Sequence, residues 1–238
     1  MTPNPAVKRD CAKARSPLLL RYASILNVLL LNLEIKFGMK IIFRMFTLLV
    51  CAAALFGCSA AMVPYSSDPK TKLEQSKILL EELDRPLPAE KLIREAIEIY
   101  QSQNDTLGLA EGYRKYGIFL RSYTVKKWGA FYIENGFLDK TTTYGQRFDK
   151  AIEYFSKSRE ILVNAKKYDD MVSNVDLNMA LAYEEKGEHE LACKALDSSL
   201  AFNIKFRSTD PSAKLQGAGR SQSFEDVISE QKKRAKCS

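Results

Sequence analysis

A repeated spacing ties this chain to one kind of architecture. Ala192, Leu196 and Ser199 fall at i, i+4 and i+7, and Ala151, Phe155 and Ser158 repeat the interval. Ala89, Ile93 and Ala96 repeat it again, with Ile97 beside them. At 3.6 residues per turn these positions share one helix face. Small residues on that face let a second helix come close, and the large one fills the gap. Each stripe follows another segment of helical period. Leu73–Leu83 precedes Ala89–Tyr100, with Pro86 and Pro88 where a turn and a helix start belong. A helix from Thr106, carrying Ala110, Tyr113, Gly117 and Leu120, precedes Phe148–Val163. Val172–Lys186, with Val175, Met179, Ala182 and Tyr183, precedes Gly187 and a helix carrying Leu191, Ala192, Ala195, Leu196 and Leu200. No alternation of Val, Ile and Thr with Asn-Gly turns runs through residues 72–207. The expected fold class is therefore all-α, built of antiparallel helical hairpins.

The third pair resembles a tetratricopeptide (TPR) repeat. Ala180 stands at the small position of the first helix and Tyr183 at its aromatic position. Gly187 is the turn, Ala192 the small residue of the second helix, and Leu196 and Leu200 its large ones. The usual Trp near the start and the closing Pro are absent. The resemblance runs through residues 72–207, over half the chain. It implies a TPR-like α-solenoid of three stacked hairpins, about the number such a stack needs to bury its stripes. It also implies a protein or peptide partner. A generic antiparallel bundle reproduces part of the same spacing.

The N-terminal part is of another kind. Of 36 basic and 29 acidic residues, eight and two lie in residues 1–57, leaving 28 against 27 in the rest. The net charge of +7 is thus concentrated in a leader and is poor evidence for a nucleic-acid partner. From Met39 the chain reads MKIIFRMFTLLVCAAALFGCSA. Lys40 and Arg44 precede an uncharged run from Met45 to Phe56, which suits a signal-peptide core and is too short to span a bilayer. Leu55-Phe56-Gly57-Cys58 resembles a bacterial lipobox, with Phe56 where a small or β-branched residue is usual. That resemblance implies a signal peptide over 39–57, cleavage before Cys58, and acyl chains such as palmitate on Cys58. Each buried methylene contributes roughly 0.8 kcal/mol, so several chains hold a protein to a membrane stably. Ser59 in place of Asp implies the outer membrane, facing the periplasm. Two alternatives stay open: an ordinary secretory signal, or a cytosolic protein with an apolar N-terminal helix. Residues 1–38 read as a non-native extension or a long basic leader. Residues 58–71, with Pro64 and Pro69, read as a tether.

Catalytic signatures are scarce. His189, the single histidine, has no second His at i+3 or i+4, so no zinc ligand set is predicted. No Gly-x-Ser-x-Gly elbow or Walker loop occurs. The expectation is no enzyme, no metal and no cofactor. Of the five cysteines, Cys193 and Cys237 remain once Cys11, Cys51 and Cys58 are assigned to the leader and the anchor. In an exported protein these two either pair or stay a buried and a terminal thiol.

An insertion, 121–147, interrupts the second pair. It holds Tyr123, Trp128, Phe131, Tyr132, Phe137 and Tyr144 with Lys126, Lys127 and Lys140, and Trp128 is the only tryptophan. Tyr123, Trp128, Phe131 and Tyr132 are candidates for partner contact, because aromatics concentrate at binding hot spots. The same rings serve equally to close the core of an inserted loop. Residues 208–223 read as a linker, and Phe224–Lys236 as a helix capped by Ser223 with basic residues in its last turn. A composition of 46% hydrophobic and 27% charged residues excludes a disordered or polytopic membrane chain. Together these readings predict a lipid-anchored periplasmic interaction or scaffold module assisting envelope, pilus or secretion-system assembly. An accessory peptidoglycan-binding or cell-wall-enzyme regulatory lipoprotein is the alternative, and a hydrolase the third.

Overall fold

The computed structural model describes residues 66–209 and 223–237. The expected extension 1–38, the signal segment 39–57, Cys58 and most of the tether lie outside the described residues, as does most of the 208–223 linker. Every regular element among the described residues is a helix, with no strand among them. Helices α1 (Pro69–Glu81), α2 (Pro86–Ser102) and α3 (Thr106–Arg121) come first. Two short helices follow, α4 (Tyr123–Lys127) and α5 (Gly129–Asn135). Then come α6 (Arg147–Ala165), α7 (Asp169–Lys186), α8 (His189–Thr209) and α9 (Phe224–Arg234).

Local chemistry places the boundaries. Asp68 accepts from the Thr71 amide at 2.8 Å and the Thr71 hydroxyl at 2.6 Å, and Pro69 takes the first helical position. Helix α1 therefore begins inside the stretch expected to be tether. Asp105 opens α3 by accepting from the Gly108 amide at 2.9 Å. Gly187 ends α7 at φ +79°, a left-handed conformation natural to glycine. Ser223 and Asp226 form a reciprocal capping box on α9.

The helices pack in consecutive pairs, α1 on α2, α3 on α6 and α7 on α8. Pairs join because α2 packs on α3 and α6 packs on α7. The first helices form one layer, in which α3 touches α1 on one side and α7 on the other. The second helices form the other layer. Arg94 of α2 donates to the Tyr154 hydroxyl of α6 at 3.0 Å, and Arg159 of α6 donates to the Ser198 hydroxyl of α8 at 3.3 Å. Every residue of the three repeated stripes is buried. Between α3 and α6, Gly117 faces Phe155 so closely that a Cβ there would meet a ring carbon at 2.5 Å. Helix α9 lays Ile228 and Ala235 on Ala180, Ala192 and Leu196, covering the end of the last pair.

Candidate functional site

Helix α3 carries a strip of partly buried cations, Arg114 and Arg121 toward α7 and Lys115 toward α1. Arg114 holds Glu111 through two bonds of 2.6 and 2.7 Å and reaches Asn174 of α7 at 2.7 Å. One heptad on, Arg121 donates twice to the amide oxygen of Asn178, at 2.7 and 3.2 Å. Asn178 is itself held by the Asn174 carbonyl at 2.7 Å. Burial pulls the Arg121 guanidinium below its ordinary pKa, with Glu185 opposing. Lys115 lies toward α1. Burial, then Arg114, with a smaller push from Lys77, pulls its ammonium below the ordinary lysine value. Its nearest carboxylate, on Glu111, is 3.7 Å away and already committed to Arg114. The strip therefore holds positive charge that its surroundings disfavour.

The insertion folds across the α1–α2 turn. Thr124 donates to the Leu80 carbonyl at 2.8 Å, and Lys127 pairs with Asp84. The four candidate aromatics divide. Tyr123 is exposed, while Trp128 and Phe131 are half-buried with their rings edge to face. Tyr132 is only 1% exposed and stacks on Phe137 at 4.4 Å beneath Phe119, so it packs in the core, out of a partner's reach. Ile133 and Leu138 add exposed apolar surface to the insertion.

Under these rings lies a polar network that the sequence reading missed. Glu90 of α2 is 1% exposed. It accepts from the Tyr116 hydroxyl of α3 at 2.9 Å and from the Leu138 amide of the insertion at 2.6 Å. Burial raises its carboxyl group to about 7, against hydrogen bonds from Tyr116 and the amides of Leu138 and Asp139 and the charge of Arg94. Asp139 accepts from the Tyr154 hydroxyl at 2.9 Å and from the amide and hydroxyl of Thr141. Burial pushes Asp139 up, but those bonds prevail and hold it below the ordinary carboxylate value. One signal for Glu90 was in the sequence. It stands three and seven residues before Ile93 and Ile97, inside an apolar stripe.

The structure brings Cys193 and Cys237 together in a disulfide, with Cα atoms 5.7 Å apart, fastening the end of α9 to α8. His189 is exposed at the start of α8. Among the described residues, no three His, Cys, Asp or Glu side chains are placed to hold a metal ion, and no helix is long and apolar enough to cross a membrane. Cys58 lies outside the described residues. Compared with protein-family models, characterised proteins and solved structures, the chain finds no match.

Proposed function

We propose that this protein is a lipid-anchored binding module of the bacterial envelope, whose α3 strip takes an extended acidic segment of a partner protein. The carrying observation is the pair Lys115 and Arg121, two partly buried cations whose charged forms the protein disfavours when alone. An incoming carboxylate adds counter-charge where Lys115 has to share Glu111 with Arg114, at little ordering cost for Arg121, which Asn178 already holds. Asn174 on α7 is exposed beside the strip, where its side-chain N–H groups can donate to a peptide backbone, while buried Asn178 holds Arg121 in place. The order of packing, with each hairpin resting on the next, supports a TPR-like solenoid, a scaffold suited to holding extended segments. The acyl anchor at Cys58 and the outer-membrane placement rest on the lipobox resemblance. In that setting the module would help assemble an envelope, pilus or secretion structure without transforming its partner.

The test is fluorescence anisotropy with a labelled ten-residue peptide rich in Asp and Glu, and its Asn/Gln counterpart. The acidic peptide binds, weakens as salt rises, and loses at least tenfold on Lys115→Gln with Arg121→Gln in a chain whose melting curve shows it folded. Equal binding of both peptides overturns the proposed partner chemistry. Intact mass of the membrane-extracted chain tests the anchor separately, the expected result being cleavage before Cys58 with added acyl mass.

A further inference from the structure

We propose that the Glu90 carboxyl group is a pH-governed latch, which fastens the 122–146 insertion to α2 when neutral and loosens it when ionised. Glu90 is where the backbone of the insertion is hydrogen-bonded to α2. One carboxyl oxygen of Glu90 receives both the Leu138 amide, at 2.6 Å, and the Tyr116 hydroxyl, at 2.9 Å. The Asp139 amide adds a further bond. The Glu90 side chain is 1% exposed, so the closed insertion shields it from bulk solvent.

Each neighbouring element contributes to the balance. From α3 comes Tyr116, a neutral hydroxyl whose ionisation burial and Glu90 both oppose. From α5 comes Tyr132, whose buried hydroxyl finds no partner. The insertion's last loop contributes Asp139, kept ionised by Thr141 and Tyr154. From α6 come Tyr154 and, acting on Asp139, Lys150. On α2 itself Arg94 is the nearby cation, but it donates to Tyr154. Lys72 of α1 is engaged by Glu95, further along α2. Glu90 thus shares its surroundings with a second, fixed carboxylate, and no cation hydrogen-bonds to it.

The sign follows from linkage. With the insertion closed, Glu90 holds its proton up to about pH 7. With it lifted, water reaches the carboxyl group and the affinity for the proton falls toward the ordinary value of 4.5. The closed form binds the proton more tightly, so raising the pH from 4.5 through 7 favours opening. Opening exposes Tyr132 and Phe137 and frees the surface carrying Tyr123, Trp128 and Phe131. This device is independent of the acidic-peptide reading, since Glu90 lies under the insertion and the cation strip on α3.

Hydrogen exchange of residues 122–146, corrected for its intrinsic pH dependence, tests the latch in the full chain, with emission from the single Trp128 as a second readout. Between pH 5.5 and 8 the opening population rises at least tenfold, while α7 and α8 stay unchanged. Glu90→Gln, which keeps an acceptor but cannot ionise, abolishes the rise, and His189→Asn leaves it intact. Tyr116→Phe removes a bond that favours the charged form, so the midpoint moves to higher pH. This variant decides the matter if Glu90→Gln does not fold. A rise below threefold in the native chain, a rise that persists in Glu90→Gln, one that vanishes in His189→Asn, or an unmoved midpoint in Tyr116→Phe overturns the proposal.

Discussion

Gly117 and the serines of the stripes show how single atoms decide the packing. At Gly117 a β-carbon would lie 2.5 Å from the Phe155 ring, so the α3–α6 approach depends on its absence. Gly117→Leu should cost roughly 1–3 kcal/mol or more, read from urea unfolding, because the ring has no room to yield. Gly145→Ala is the control. A β-carbon at Gly145 meets nothing within 4 Å, and the change should stay within about 0.5 kcal/mol. The third stripe position illustrates what spacing hides. Ser158 and Ser199 are equivalent in register, yet the Ser158 hydroxyl is buried without a partner, whereas Ser199 bonds the Ser173 carbonyl at 2.8 Å. Ser173 returns a bond to the Ser199 carbonyl at 2.8 Å. Ser173→Ala should cost about 1 kcal/mol in the same experiment.

Among the elements, α9 is the most distinctively attached. Ile228 and Ala235 give it a narrow apolar footing, and Lys232–Asp197, Arg234–Glu184 and Arg207–Glu225 pair around it. Pairs of this exposure contribute little each. The Cys193–Cys237 bond, spanning 44 residues, restrains the unfolded chain by up to about 4 kcal/mol. Cys193→Ser with Cys237→Ser should lower stability by about 2–4 kcal/mol in urea and strip exchange protection from α9 first. Unchanged α9 protection would show that its apolar face suffices. The hairpin helices and α9 were legible because their apolar positions follow helical spacing and their caps are local. The inside of the insertion was not. Helices α4 and α5 have five and seven residues, too few to stand alone, and take their shape from distant groups such as the Leu80 carbonyl and the Glu90 carboxyl group. The aromatic content of the insertion was plain, but its division into buried Tyr132 and exposed Tyr123 depends on what lies beneath. The cations of α3 were legible as charges and not as a strip, since Asn174 and Asn178 come from a helix more than fifty residues away.

For the whole molecule, shared helices matter more than separate hairpins. Helix α3 packs on α1, α2, α6 and α7, so losing it removes support from both neighbouring pairs. Exchange protection should peak in α3 and α6 and fall toward α1 and α9, and thermal melting should follow one transition for α1–α8. Two well-separated melting steps within that range would mean that the pairs stand independently. The chain's two covalent routes around its C-terminal helix have a practical corollary. A protease cutting between residues 210 and 222 would open the backbone without parting the molecule, because sulfur still joins the two pieces. Such a nicked protein would run as a single band on a gel until a thiol reagent released the short fragment.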